Sequence, residues 1–140
     1  TAVVFMDAGQ KTSGFSQMVQ DFDRDLNKAH AGMVSLPTRA PGTKVASANW
    51  TYCFNGTNMQ ARFIQLLLAA SQADKCLVYH SFGRDFESEV IEFAEWLQTT
   101  NLTVGELYTA YTEVVSGFTT SPAARYLDLD VFAEIMDGLA

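Results

Sequence analysis

The sequence predicts an all-α protein, a compact bundle of about five helices in a single domain over residues 1–140. Three observations carry that expectation. Apolar residues recur at three-and-four spacing in five separate segments. Two of those segments open on residues that cap helices. Only one stretch, Leu36 to Ser47 (LPTRAPGTKVAS), concentrates residues that forbid a helix, holding two of the chain's prolines and Gly42. It is too short to divide two domains and reads as a surface crossing between elements.

Taken in order, the first helix is marked by Phe15, Met18, Val19, Phe22, Leu26, Ala29 and Met33, with Asp21, Asp23, Arg24, Asp25 and Lys28 on its other face. The second starts near Thr57 and presents Met59, Phe63, Leu66, Leu67 and Ala70, with nothing between Ser71 and Lys75 that compels it to stop. The third follows Gly83, with Phe86, Val90, Phe93, Ala94 and Leu97 on one side and Glu87, Glu89, Glu92 and Glu95 on the other. Acids in its first turn complement the helix dipole. The fourth has the sharpest start. In LTVGEL, Thr103 and Glu106 form a capping box, and Leu102 and Leu107 occupy the positions of a hydrophobic staple. The fifth is expected to begin with Ser121 as N-cap and Pro122 in the first turn, to present Leu127, Val131, Phe132, Ile135 and Met136, and to close at Gly138.

Two short apolar runs resist this scheme. Residues 2–7 (AVVFMD) and 76–80 (CLVYH) have the look of buried parallel strands, each followed by a turn-rich segment and then a helix. As strands they would make the fold α/β and place Asp7 and His80 at strand carboxyl ends, where open sheets bind ligands.

Composition narrows the function classes. A 48% hydrophobic content with ten Phe describes a folded globular chain. No uninterrupted apolar stretch approaches the roughly 20 residues of a membrane span. The net charge of −7 is unevenly spread, since from Arg84 onward eleven acids face only Arg84 and Arg125. Such a field repels nucleic acid, and the bases of the first half form no stripe that could track phosphates. Glu87, Glu89, Glu92, Glu95 and Glu106 are therefore expected to form an acidic pole that engages a protein partner or a second copy.

The compartment signals lie in ANWTYCFNGTNMQ and beyond. Asn49, Asn55 and Asn101 each begin an N-glycosylation acceptor pattern, which points toward a secreted or extracellular glycoprotein, while the same threonines also suit helix starts. The chain opens on Thr1 with no leader ahead of it, as a processed chain would. Cys53 and Cys76 are separated by a helix whose ends lie roughly 25 Å apart at about 1.5 Å per residue. An internal disulfide is therefore disfavoured, and free thiols or an interchain bridge are expected.

The remaining motifs are incomplete. Cys76 and His80 at i, i+4 lack the further ligands of a metal site, so no metal and no cofactor is expected. Asp128-Leu129-Asp130 resembles the start of a calcium loop, but Ala133 replaces the required Gly and Leu139 the bidentate Glu, leaving these acids to the polar face of the last helix. Ala8 to Gly14 (AGQKTSG) lacks the glycine spacing of a phosphate loop. A nucleophilic Thr1 would need the stacked sheets that such enzymes use.

The leading expectation is a non-enzymatic binding or assembly domain that oligomerises or takes a protein partner through an apolar face and the acidic pole. The first alternative is a small α/β enzyme with a cleft around Asp7, His80 and Arg84. The second is a carrier of a small apolar ligand lined by Trp50, Tyr52, Phe54, Phe63 and Tyr79.

Overall fold

The computed structural model describes residues 3–6, 18–36, 42–48, 58–81, 86–118 and 129–140. Along the chain these form α1 (Met18–Val34), β1 (Thr43–Ala48), α2 (Met59–Gln72), β2 (Lys75–His80), α3 (Phe86–Thr100), α4 (Val104–Phe118) and α5 (Val131–Gly138). The protein is a mostly α, five-helix assembly, as the periodicity predicts, with a two-stranded sheet added among the described residues.

That sheet is parallel, running in register from Thr43↔Lys75 to Ala48↔His80. Parallel neighbours cannot be joined by a tight turn, so the connection must cross a face of the sheet, and α2 is that crossover. The strand expected at 76–80 is therefore present, but its partner is not residues 2–7. It is β1, inside the stretch read as a surface crossing. The prolines and Gly42 hid a short alternation in which Thr43, Val45 and Ser47 are half-buried while Lys44 and Ala46 are exposed. Gly42 takes a left-handed φ of 72°, and its N–H donates to the Asp74 carbonyl at 3.1 Å, so the strands start together. Asp74 itself sits at φ 56°, which ends α2 where the sequence showed no stop signal. Residues 3–6 belong to neither strand of that sheet; Val4 and Met6 are half-buried while Val3 and Phe5 are exposed. They press on α1 at Gly32, where an added Cβ would lie 2.6 Å from Met6 Sδ and 2.8 Å from Val4 Cγ1.

The helix ends follow the capping chemistry in part. The capping box of α4 forms as expected, with the Thr103 N–H donating to Glu106 Oε2 at 2.8 Å and the Glu106 N–H to Thr103 Oγ1 at 3.2 Å. The N-cap of α2 is Asn58, whose Oδ1 accepts the Ala61 N–H at 3.1 Å; Thr57 lies outside the described residues. The last helix starts later than expected. Asp130 caps it by accepting the Ala133 N–H at 3.0 Å, so this acid holds a helix end rather than a helix face. Ser121, Pro122 and Leu127 lie outside the described residues.

The core is organised on α2, buried at Gln60, Ala61, Phe63, Ile64, Gln65, Leu66, Leu68, Ala69 and Ala70. On one flank, the small residues Ala29, Ala69 and Ala70 let α1 approach closely. On the other, Phe63 meets Phe132 edge-on at 5.8 Å, and Phe93 stacks on Phe132 at 4.2 Å. Tyr111, fully buried, stacks on Phe22 at 4.0 Å. One charge is carried inside. Asp25 is 1% exposed, and its carboxylate accepts Arg62 Nη1 at 2.8 Å and Arg24 Nε at 3.2 Å. The same Arg62 nitrogen donates to Gln65 Oε1 at 2.6 Å, and Gln65 Nε2 donates to the Phe22 carbonyl at 2.8 Å, so α1 and α2 are joined by polar as well as apolar contacts.

Breaking that pair from one side leaves a buried carboxylate without its main partner, which costs about 3–5 kcal/mol, whereas replacing both partners by apolar residues is far better tolerated. Arg62→Met is therefore expected to lower urea stability by several kcal/mol, and the Asp25→Leu/Arg62→Met double variant to recover most of that loss.

Candidate active site

The carboxyl ends of β1 and β2, at Ala48 and His80, lie side by side. From Ala48 the chain passes through residues 49–57 to α2, and from His80 through residues 81–85 to α3. Since α2 must return to the start of β2, its N-terminus lies at this same edge. The N-terminus of α3 is tied there by Phe86, whose ring packs on Tyr79 of β2 at 6.4 Å. Two helix N-termini and two strand carboxyl ends thus converge, the arrangement in which open α/β sheets hold ligands. The unpaired N–H groups of a helix start carry partial positive charge and favour anions.

Two side chains at the start of α2 hold this edge in place. Asn58 is 3% exposed; besides capping the helix, its Nδ2 donates to the Leu129 carbonyl at 2.9 Å. Gln60 accepts the Phe132 N–H on Oε1 at 2.9 Å and donates from Nε2 to Glu89 at 2.9 Å. The first turn of α2 is thereby bonded to the first turns of both α3 and α5.

Next to His80 on β2, Tyr79 sets its ring edge-on against Phe63 at 5.1 Å. Its hydroxyl is buried and has no hydrogen-bond partner among the described residues, and burial pushes its pKa up to about 12. His80 is exposed at the end of the strand. Of the residues expected to surround a cleft, it alone is described; Asp7 and Arg84 lie outside the described residues, as do Trp50, Tyr52, Phe54 and Cys53. Phe63 and Tyr79 serve the core. Cys76 is an exposed free thiol.

The acids expected to form a pole are all exposed, four along α3 and Glu106 at the start of α4. Two have structural work. Glu89 receives Gln60, and Glu106 receives both the N–H and the hydroxyl of Thr103, which hold its carboxyl below the usual range. Asn49 and Asn55 lie outside the described residues. Asn101 takes a left-handed φ of 54°, and its N–H closes the last turn of α3 on the Leu97 carbonyl at 3.3 Å. Asn101 thus ends one helix, and Thr103, two residues later, starts the next. No group of three or more metal-ligating side chains occurs among the described residues, and none of their helices is long and apolar enough to cross a membrane.

Sequence reasoning missed Asn58 and Gln60. The signal was present: Asn immediately ahead of a periodic apolar segment is a cap, and Gln60 and Gln65 break the apolar character of a helix that is otherwise hydrophobic nearly all round. Buried glutamines of that kind need partners and so mark contacts between elements.

Residues 1–89 match the sequence model of a family described as poly(ADP-ribose) glycohydrolase, macro domain fold. The matched span runs through α1, β1, α2 and β2 and ends in the first turn of α3, so it takes in both strands of the described residues and both helix starts at the edge just described. This corrects the leading expectation of a non-enzymatic binding or assembly domain, and with it the picture of a secreted glycoprotein bundle. That inference rested on helix count and an acidic surface, neither of which bears on chemistry. The α/β enzyme alternative accords better with the match.

The unpartnered hydroxyl of Tyr79 has a measurable consequence. Removing a buried, unsatisfied polar group is expected to stabilise by about 1 kcal/mol, so Tyr79→Phe should raise urea stability at pH 7 by that order. The pH dependence has a definite sign. An unfolded tyrosine ionises near pH 10 while the folded one holds its proton to about 12, so stability present below pH 10 is lost on rising toward 12. Tyr79→Phe should lose less between pH 10 and pH 12 than the unaltered protein. Tyr108, also raised by burial and by its bond to Asp23, keeps its share in both.

Proposed function

Because the chain belongs to the poly(ADP-ribose) glycohydrolase family, we propose that it takes part in hydrolysing glycosidic bonds of ADP-ribose units, and that the edge where β1 and β2 end faces the ligand. The observation that carries this reading is the family match over residues 1–89, which centres on the β1–α2–β2 crossover.

The chemistry of the ligand suits the edge. An ADP-ribose unit carries a diphosphate, and the N-terminal turn of α2 directs helix-start N–H groups toward the strand ends. Asn58 and Gln60 keep that turn from shifting when charge arrives, because each is anchored to backbone on α5 or the residues just before it. Arg84, four residues beyond His80, offers a guanidinium of the geometry that phosphate oxygens accept. Glycoside hydrolysis runs in most enzymes on carboxyl groups that protonate the leaving oxygen and activate or replace the attacking water. Asp7, the carboxylate the sequence offers, lies outside the described residues. Glu89, in the first turn of α3, is joined to the start of α2 through Gln60, whose Nε2 donates to one of its oxygens. His80, exposed at the strand end, is placed to contact a ribose or phosphate oxygen.

Calorimetric titration of the protein with ADP-ribose, and chromatography of labelled poly(ADP-ribose) after incubation, test the reading together. Saturable ADP-ribose binding with release of ADP-ribose from polymer is the expected outcome, and His80→Ala should lower kcat/KM by about tenfold with little change in melting temperature. Neither binding nor release by the folded protein would overturn it.

A further inference from the structure

A groove of about 420 Å³ runs between α4 and α5, on the part of the chain beyond residue 89. Its floor is apolar: Ala110 is 6% and Ile135 1% exposed, and Val114 and Leu129 complete it. Glu113 and Glu134 line it from opposite helices. Both are exposed, and neither side chain has a hydrogen-bond or ion-pair partner among the described residues. At one end Leu139 is 44% exposed, and beside it a Cβ added to Gly138 would meet nothing within 4 Å.

We propose that this groove docks a basic amphipathic helix of a partner protein, apolar side chains entering between α4 and α5 while Lys or Arg residues pair with Glu113 and Glu134. Charge complementarity selects that occupant. The sequences of α4 and α5 hold four acids and no base, so the groove sits in a field that no cation of its own helices offsets. The same field turns away polyanions, so this is not where poly(ADP-ribose) binds, and the proposal stands independently of the glycohydrolase reading. A small cation alone would leave the apolar floor wet. A helix laid between two helices buries it and sets charges along both rims, the helix-in-groove mode of recognition.

Fluorescence anisotropy with a labelled helical peptide of Leu and Lys in amphipathic order tests the proposal. Controls are the same pattern with Glu for Lys, and a Lys-rich peptide without Leu. Saturable binding of the Leu/Lys peptide alone is expected, weakening with salt. Affinity should fall at least ~10-fold, or about 1.4 kcal/mol, in Glu113→Lys/Glu134→Lys and again in Gly138→Leu, which fills the groove. Charge reversal on α3, Glu92→Lys/Glu95→Lys, should change it less than ~2-fold. Because both groove carboxylates are exposed, the reversed variant keeps its melting temperature and remains informative if Gly138→Leu does not fold. Any of four results overturns the proposal: no saturable binding, equal binding of the Lys-only peptide, equal loss on reversing α3, or a protein that is already a dimer through this groove and dissociates in Gly138→Leu.

Discussion

The burial of α2 on nearly every side is the constraint on which the rest of the structure depends. A helix hydrophobic all round must be covered all round, and here α1, the sheet, α4 and α5 supply the cover. Before its exposed end at Ser71 and Gln72, such a helix has no solvent face to absorb its polar side chains. Gln60, Arg62 and Gln65 must therefore find partners inside: Gln60 on α3 and α5, and both Arg62 and Gln65 on α1, at the Asp25 carboxylate and the Phe22 carbonyl. Apolar burial supplies most of the stabilisation but is indifferent to small slides between elements. The three polar side chains are not, and they fix where along α2 the helices α1, α3 and α5 sit.

The crossover has a second consequence, for the location of the site. A helix linking two parallel strands begins where the first strand ends, which puts its positive end beside the strand carboxyl ends without any special sequence. What the sequence must add is a firm helix start. Asn58 provides it, its one amide capping α2 and reaching the Leu129 carbonyl. Glu89, in the first turn of α3, joins the arrangement through Gln60, so the two helix starts at the edge are bonded to each other.

Much of this was legible in the sequence, for physical reasons that differ by element. All five helices could be read because each repeats a 3.6-residue pattern over several turns, and the α4 start could be placed to the residue because a capping box and staple are local chemistry. β1 could not. Six residues of alternation, two of them exposed small or cationic side chains, carry little signal beside two prolines and a glycine, and the strand exists because β2 offers it a ladder. The end of α2 at Asp74 was hidden for a related reason: an Asp in the left-handed region is tolerated only when something repays it, and here its carbonyl accepts the Gly42 N–H that starts β1. The edge was half legible. His80 was placed correctly at a strand end, whereas Asn58 and Gln60 derive their importance from contacts about 70 residues away in sequence, which periodicity does not register.

Those distant contacts bear on why the chain beyond residue 89 is needed by the part before it. Leu129 and Phe132 offer Asn58 and Gln60 a backbone carbonyl and a backbone N–H, groups that substitutions in α5 cannot remove short of displacing the helix. Phe132 then drives its ring between Phe63, Phe86 and Phe93, tying the backbone bond to the densest aromatic contacts in the protein. If α5 shifted, both bonds would break and the stacked rings would part, leaving Asn58 Nδ2 and Gln60 Oε1 without their partners at the N-terminus of α2. The cost of those unsatisfied groups, about 1–3 kcal/mol each, resists the shift from both sides. The geometry of the ligand-facing edge is thus set partly by a helix that follows it by about 50 residues in the chain. A partner seated between α4 and α5 would bear on that helix directly, and the same two amides would carry its effect to the strand ends.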